Sequence, residues 1–373
     1  MTYKGVFWGL PTGAKRGKKK GMWVAVNGNR HTVVGELIIF AENKKDMTGF
    51  MSRTFSMLLL LVVACVNVCA QDKSVCLSDG KPIHVADPCV FKSGDVYYLT
   101  GTSTADKGFE YYTSTDLKNW TRRGMLYEPK GEAYVGANCF WAPEVRMYKG
   151  KYYLTFSCYS PKYKALITCL AVSDKPEGEY KDIYVPWIDT KYSAIDCDIF
   201  VDDDGEPYLY YSHNYVKDTM AIGEIYAAKL KKDLSGIIGE PVYISGASQK
   251  WERVNWNKNR CNEGPWVIKH NGKYVMTYSA NDTGYGYYGI GISEAASPLG
   301  PWKKYSDNPQ LATDLKRGVS SPGHNSIVEG NDGNLYIVYH RHANPNCEKP
   351  NWDRVVCIDK LKFTKSGKLK IVK

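Results

Sequence analysis

Short segments in which polar and apolar residues alternate recur five times along the chain, and each follows a glycine turn. The alternation is clearest in residues 151–157, where Tyr152, Leu154 and Phe156 are the apolar positions. A period of two predicts a β-strand with one buried face. The turn glycines lie at intervals of 56, 55, 67 and 61 residues, at Gly94, Gly150, Gly205, Gly272 and Gly333. A repeat of this size predicts a propeller or another array of like units.

A second repeat follows three of these strands and has the composition of a turn. It comprises residues 114–120, 173–178 and 293–302, which are rich in Ser, Asp, Pro and Gly. We interpret it as the connection between the third and fourth strands of each unit. No amphipathic helix longer than two turns is evident. Five units of about four strands predict an all-β protein with a single domain, a five-bladed β-propeller whose first strands line a central channel.

One ionisable residue precedes each turn glycine by six to nine positions. These residues are Asp87, Glu144, Asp196, Glu263 and His324. In a propeller such positions fall on the innermost strands, so we expect the five side chains to face the axis at one equivalent position. Carboxylates gathered around an axis predict an active site.

The net charge of +10 does not change the predicted fold or site, because most of it lies near the start of the chain. Residues 1–50 supply +6 and Arg53 one more, which leaves +3 from Gln71 onward. This balance is ordinary, and we therefore expect no nucleic-acid partner. The aromatic fraction of 13% favours strands and also suits stacking on sugars.

An export signal is predicted at residues 51–70. It has a basic start, MSRTFS at 51–56, an apolar run, MLLLLVVAC at 57–65, and small residues before Gln71. The apolar run is shorter than the roughly 20 residues of a membrane span, so we expect no transmembrane span.

This signal divides the chain into four parts. We expect residues 1–50 to be a mis-assigned upstream segment, with a genuine N-terminal extension as the alternative. Residues 71–83 are predicted to be a short linker, and residues 84–373 the propeller. The protein is predicted to be periplasmic or secreted, or to be lipid-anchored through a lipoprotein signal that ends at Cys65.

Five segments, one for each unit, give the chain a specific resemblance. They are ADPCV at 86–90, FWAPEV at 140–145, IDCDIFVDDDG at 195–205, NEGP at 262–265 and GHNS at 323–326. In this order and at this spacing they resemble the family 43 glycoside hydrolases, over about three-quarters of the chain. The chain departs from the family pattern at Cys197, where a proline usually follows the aspartate, but the carboxylate of Asp196 remains.

The resemblance implies an inverting glycosidase with three carboxylates. Asp87 would be the general base that activates water, and Glu263 the general acid that protonates the leaving oxygen. Asp196 would orient Glu263 and keep its pKa high by like-charge repulsion. Each residue alone has the alternative of an ordinary turn residue, and the joint pattern favours the catalytic one.

Further site residues are implied by the same resemblance. Trp141, with its neighbour Phe140, would form a wall of the sugar subsite, although a core tryptophan is the alternative. Arg354 and Arg341 would bind sugar hydroxyls. His324 would contact substrate, and either lies near a bound Ca²⁺ or other ion at the channel centre or is a hydrogen-bonded structural residue. No cofactor is expected to be required.

The sequence therefore predicts an exported enzyme that cleaves α-L-arabinofuranosidic or β-D-xylosidic bonds in plant polysaccharides or oligosaccharides. An α-L-arabinofuranosidase or a β-xylosidase is expected, with an endo-arabinanase as a further alternative. The other readings are a non-catalytic carbohydrate-binding propeller and a glycosidase for a different sugar, such as a galactan-directed one. The presence of both Asp87 and Glu263 favours an enzyme. We expect a monomer whose partner is a plant-cell-wall glycan.

Overall fold

The computed structural model describes residues 74–103, 107–188, 193–345 and 350–372. The predictions for residues 1–50 and 51–70 lie outside this part of the chain. The described residues form 21 β-strands and three single turns of 3-10 helix. They include no helix of the length and apolar character that a membrane span requires.

Each predicted unit forms one antiparallel sheet, and the strands follow one another from the axis outward. Blade 1 has a further strand, β1, at its outer edge. The strands of the five blades are β1 (Cys76–Leu77), β2 (Ala86–Ser93), β3 (Val96–Thr102), β4 (Phe109–Ser114) and β5 (Asn119–Tyr127) in blade 1; β6 (Asn138–Tyr148), β7 (Lys151–Ser160), β8 (Ala165–Ser173) and β9 (Lys181–Tyr184) in blade 2; β10 (Ala194–Val201), β11 (Pro207–Lys217), β12 (Met220–Leu230) and β13 (Ile237–Gly246) in blade 3; β14 (Asn259–His270), β15 (Lys273–Ala280), β16 (Gly289–Ala295) and β17 (Lys303–Lys304) in blade 4; and β18 (Gly323–Glu329), β19 (Leu335–His342), β20 (Arg354–Phe363) and β21 (Leu369–Val372) in blade 5.

The first strands of the blades form a closed ring. β2, β6, β10, β14 and β18 each contact the next one, and β18 contacts β2. Blades 3 and 4 are also joined at one end, where β12 pairs in parallel with β14 from Ala221 opposite Asn259 to Gly223 opposite Cys261. This arrangement confirms the predicted five-bladed β-propeller.

Residues 74–83, which precede blade 1, form backbone hydrogen bonds with both blade 1 and blade 5. β1 pairs in parallel with β5, and the Val75 N–H donates to the Val356 carbonyl at 2.8 Å. The Val356 N–H in turn donates to the Ile83 carbonyl at 3.0 Å. From Ser74 onward, the segment predicted as a linker is therefore part of the propeller.

Apolar residues fill the spaces between neighbouring blades. In blade 2, Phe156 lies against Tyr127, with ring centroids 4.9 Å apart, and against Phe109 and Phe140. Burial of each such side chain stabilises the fold by roughly 1.5–3 kcal/mol. The large, closely packed aromatic rings hold the blades rigidly and so fix the positions of the inner strands.

Candidate active site

Every inner strand has a β-bulge at the same level of the channel. The ladder register shifts between Ala86 and Cys89, Trp141 and Glu144, Ile195 and Asp198, Glu263 and Trp266, and Gly323 and Asn325. Within each bulge one residue has a positive φ: Asp87 (49°), Ala142 (46°), Asp196 (55°), Gly264 (58°) and His324 (44°). A bulge re-aims the side chains beside it, and bulges are frequent next to active sites.

These backbone angles correct the predicted equivalence of the five ionisable residues. Asp87, Asp196 and His324 do occupy equivalent positions. The equivalent position is Ala142 in blade 2 and Gly264 in blade 4. Glu263 lies one residue before it, and Glu144 lies two residues after it, closer to the opposite end of the channel.

Asp87 is held by three neighbours. Its Oδ2 accepts a hydrogen bond from the Thr102 hydroxyl at 2.6 Å, and its Oδ1 lies 3.3 Å from Nδ1 of His324 and 3.4 Å from Nδ1 of His340. Burial alone would raise the pKa of Asp87, but the charge of His324 first, and then that of Arg354, hold this pKa well below its usual range. Asp87 is therefore ionised, as a base must be.

His340 is a further site residue, and it lies outside the five segments that carry the family resemblance. Its Nδ1 accepts the backbone N–H of Asp87 at 3.0 Å, so the ring hydrogen lies on Nε2, 3.3 Å from the Thr283 hydroxyl. Burial lowers the pKa of His340 to about 4, and the ring is neutral.

A further repeat could have revealed His340. The residues opposite the bulges on the second strands are all polar: Thr102, Ser157, Ser212, Ser279 and His340. They lie seven or eight positions after the turn glycines.

Asp196 is linked to the backbone beside Glu263. Its Oδ2 accepts the Ser212 hydroxyl at 3.0 Å and the Gly264 N–H at 3.1 Å. Burial first, and then the charge of Asp196, raise the pKa of Glu263 to about 7. Glu263 therefore keeps a proton at a pH where Asp87 is fully ionised.

His324 lies among the three carboxylates. A Cβ atom at Gly264 would approach its ring to 3.3 Å, so the ring packs closely on this glycine. Burial alone would lower the pKa of His324, but Asp87, Asp196 and Glu263 raise it. The three carboxylates therefore favour the imidazolium form of His324, which offsets negative charge at the channel centre.

The ion expected near His324 needs ligands of the right kind. Calcium prefers oxygen ligands, and a histidine supplies only ring nitrogens. The described residues contain no group of three His, Cys, Asp or Glu side chains arranged to hold a metal. An ion near His324 stays a prediction.

The predicted sugar-binding residues lie in different environments. Trp141 is half-buried in the bulge of β6, and the next N–H, that of Ala142, donates to the same Thr102 hydroxyl that binds Asp87. Arg354 lies 3.4 Å from the Thr283 hydroxyl through Nη1, and its buried Nε has no hydrogen-bond partner among the described residues. Arg354 is therefore near Asp87, whose pKa its charge lowers, and the backbone beside Trp141 is connected to Asp87 through Thr102.

Phe140 and Arg341 are placed in packing positions. Phe140 is 2% exposed in the blade 2 core, against Tyr134 and Phe156. Arg341 is buried, and it donates to the Ser74 hydroxyl and to the His342 carbonyl. The Arg341 contacts support the structure around the ring closure.

Glu144 belongs to a separate buried cluster below the site. There Arg146 forms a bidentate ion pair with Asp198, at 2.8 and 3.0 Å, and its guanidinium lies 3.5 Å from the Trp266 ring centroid. Burial and the charge of Asp198 raise the pKa of Glu144 well above its usual value. Glu144 is therefore neutral and structural.

Comparisons with known proteins identify the family. The family model of glycosyl hydrolases family 43 matches residues 81–369, so the chain belongs to this family. A crystal structure of a thermostable family-43 glycoside hydrolase is 40% identical with a TM-score of 0.73, over 78% of this chain and 93% of that one.

Two curated relatives are similar over most of this chain. A beta-D-galactofuranosidase of Aspergillus niger is 28% identical over 76% of this chain and 81% of its own length. An extracellular exo-alpha-(1->5)-L-arabinofuranosidase of Streptomyces avermitilis is 30% identical over 68% of this chain and 54% of its own length. The protein is an O-glycosyl hydrolase that acts on glycans.

Proposed function

We propose that the protein hydrolyses α-L-arabinofuranosidic bonds of plant glycans with inversion at the anomeric carbon. Asp87 is the general base and Glu263 the general acid, and Asp196 orients the acid through the Gly264 N–H. The proposal depends above all on one observation: the pKa of Asp87 is held well below its usual range while that of Glu263 is raised to about 7. Two carboxyl groups with separated pKa values can act as base and acid at the same pH.

In this mechanism one water molecule adds to the anomeric carbon. Asp87 accepts a proton from the water as the C–O bond forms, and Glu263 donates its proton to the glycosidic oxygen as that bond breaks. The products are the free sugar with inverted configuration and the leaving alcohol. The general acid then regains its proton as the base loses one, so the enzyme ends in its starting state.

The substrate proposal uses the ring chemistry that two relatives share. The Aspergillus niger relative is named a galactofuranosidase and the Streptomyces avermitilis relative an arabinofuranosidase, and both names describe enzymes that act on furanosides. An α-L-arabinofuranosyl and a β-D-galactofuranosyl ring have the same configuration at C1–C4 and differ in the group beyond C4. A β-D-galactofuranosidase is therefore the second candidate, and a β-D-xylosidase is the third, since a relative of Xylanibacter ruminicola has that name.

The leaving group is expected to lie beside blade 4. Glu263 pairs with Ser279, the second-last residue of β15. The loop of residues 281–288, which connects β15 with β16, begins two positions after Ser279 and therefore starts beside the acid. The Asn281 side chain donates to the Trp251 carbonyl and connects this loop to residues 251–260. We propose that the two loops form the leaving-group subsites.

Export and a monomeric state complete the proposal. The Streptomyces avermitilis relative and a Bacillus subtilis endo-arabinanase are both named as extracellular. Cys76 is disulfide-bonded, and disulfides persist in oxidising compartments outside the cytosol.

The test compares the wild-type enzyme with Asp87→Ala and Glu263→Ala on p-nitrophenyl α-L-arabinofuranoside, β-D-galactofuranoside and β-D-xyloside, and on branched and debranched arabinan. We expect turnover of the arabinofuranoside, with kcat reduced at least about 10²-fold in both variants. A matched control, Asp182→Ala, removes a blade 2 carboxylate that binds Tyr127 and should retain activity. Sugar binding without turnover in the wild type would instead support a non-catalytic carbohydrate-binding propeller.

A further inference from the structure

The hydroxyl of Tyr288 contacts the general acid, and no role described so far uses it. It donates to Oε1 of Glu263 at 2.7 Å, and Tyr288 is 1% exposed. Its ring is stacked on His340, with centroids 5.9 Å apart and an interplanar angle of 7°. His340 in turn accepts the backbone N–H of Asp87. Tyr288 therefore connects the acid to the residue that holds the base.

Ser279 lies between His324 and Tyr288. The backbone N–H of His324 donates to the Ser279 hydroxyl at 2.7 Å, so this hydroxyl keeps its own hydrogen for another acceptor. Ser279 acts to lower the pKa of Tyr288, which is the direction expected of a hydroxyl that faces the phenol oxygen. A donor to that oxygen polarises the Tyr288 hydroxyl and strengthens its bond to the carboxyl group of Glu263.

The position of the Tyr288 ring depends on a glycine. A Cβ atom at Gly323 would lie 2.0 Å from Cε1 of Tyr288. Gly323 is the first residue of the GHNS segment and directly precedes His324. The glycine therefore leaves space for the ring that contacts the acid.

We propose that Tyr288 is a positioning residue that aims the carboxyl group of Glu263 at the glycosidic oxygen and stabilises the carboxylate once the proton has been transferred. This inference rests on the proposed role of Glu263 as the acid. A donor to the ionised form favours that form, so Tyr288 opposes the burial and the Asp196 charge that raise the pKa of Glu263. It prevents the acid from holding its proton too tightly.

The experiment measures kcat/KM against pH for wild type and Tyr288→Phe on p-nitrophenyl α-L-arabinofuranoside and an arabino-oligosaccharide. Loss of a hydrogen bond to a charged group is expected to move the basic limb upward by about one pH unit. The rate at the optimum should fall more for the oligosaccharide, because its leaving alcohol needs the proton more. Ser279→Ala is expected to give a smaller shift in the same direction.

The matched control is Tyr339→Phe. The Tyr339 hydroxyl also donates to a buried carboxylate, Asp359, at 2.9 Å in blade 5. This variant should lose stability without moving the basic limb. A basic limb that stays in place in Tyr288→Phe, or moves equally in the control, would overturn the inference.

Glu263→Gln separates the two proposals. It should remove the basic limb on the activated aryl substrate. If that limb persists in Glu263→Gln, the assignment of the acid, and with it the proposed function, fails. If the limb disappears there but is unmoved in Tyr288→Phe, only the inference about Tyr288 fails.

Discussion

Nδ1 of His324 lies 3.3 Å from Oδ1 of Asp87, inside a channel where both side chains are mostly buried. The positively charged ring stabilises the carboxylate and offsets the cost of burying it. The base therefore depends on a neighbour on the opposite side of the ring closure, since His324 lies on the last inner strand and Asp87 on the first.

Replacement of His324 by Asn should raise the pKa of Asp87, because the carboxylate loses an opposite charge while it remains buried. We expect the acidic limb of kcat/KM to move to higher pH by about 1–3 units. The control is His213→Gln, which changes a buried histidine of β11. An acidic limb at the wild-type position in His324→Asn would contradict this account of Asp87.

The wild-type enzyme should have a bell-shaped pH profile with widely separated limbs. Activity falls at low pH as Asp87 gains a proton, and the depressed pKa of Asp87 puts this limb below the usual range of an aspartate. Activity falls at high pH as Glu263 loses its proton, around pH 7. Rates on an aryl arabinofuranoside between about pH 3 and 9 would measure the basic limb and should show no acidic limb near pH 4; a basic limb near pH 4.5 would disagree with the structure.

The five-bladed fold was predictable because the turn glycines and alternating strands repeat with little change. The exact position of each inner side chain along the channel could not be predicted. The distance from the bulge to the turn glycine varies between blades, from seven residues for Asp87 to nine for Asp196. Counting back from the glycine therefore placed Glu144 beside the catalytic residues, whereas its bulge position is Ala142. Only the backbone angles show that Ala142, and not Glu144, occupies the position equivalent to Asp87.

The neutral state of Glu144 can be tested by Glu144→Gln. Because the folded-state pKa of Glu144 is raised, the folded protein loses stability relative to the unfolded chain as the pH rises above the ordinary glutamate value. Gln removes this cost, so at pH 7 we expect the free energy of unfolding to rise by on the order of 1 kcal/mol, with activity retained. At pH 4 the variant should match the wild type. Chemical denaturation at both pH values measures the difference.

A contrasting variant in the same cluster is Asp198→Asn. It leaves the guanidinium of Arg146 without its bidentate partner. We expect a loss of about 3–5 kcal/mol in the free energy of unfolding.

For Glu144→Gln we expect turnover to be retained. If this variant abolished turnover in a folded protein, our separation of Glu144 from the active site would be wrong.

Tyr288 illustrates what a single sequence could not reveal. It lies outside the five segments that carry the family resemblance and is one of 29 tyrosines. Its role follows from its hydrogen bond to Glu263 and from the close approach of Gly323. The approach of Gly323 joins blade 5 to blade 4, and it exists only in the folded protein.

The strand that carries the acid is supported by a buried ion pair. Nζ of Lys304 lies 2.6 and 2.8 Å from the two carboxylate oxygens of Glu252 and 2.8 Å from Oδ1 of Asn262, the residue before Glu263. The Glu252 side chain is fully buried, and it also accepts the Tyr278 hydroxyl at 2.8 Å.

Lys304→Met should therefore leave a buried, uncompensated carboxylate and cost about 3–5 kcal/mol in the free energy of unfolding. The double variant Lys304→Met with Glu252→Gln should recover much of this loss, because no charge is then left unpaired. Lys151→Met, which breaks an exposed pair with Asp174, is the matched control and should cost at most about 1 kcal/mol. Urea denaturation of the four proteins measures these differences. A loss in Lys304→Met no larger than that in Lys151→Met would mean that the buried pair does not stabilise the strand that carries Glu263.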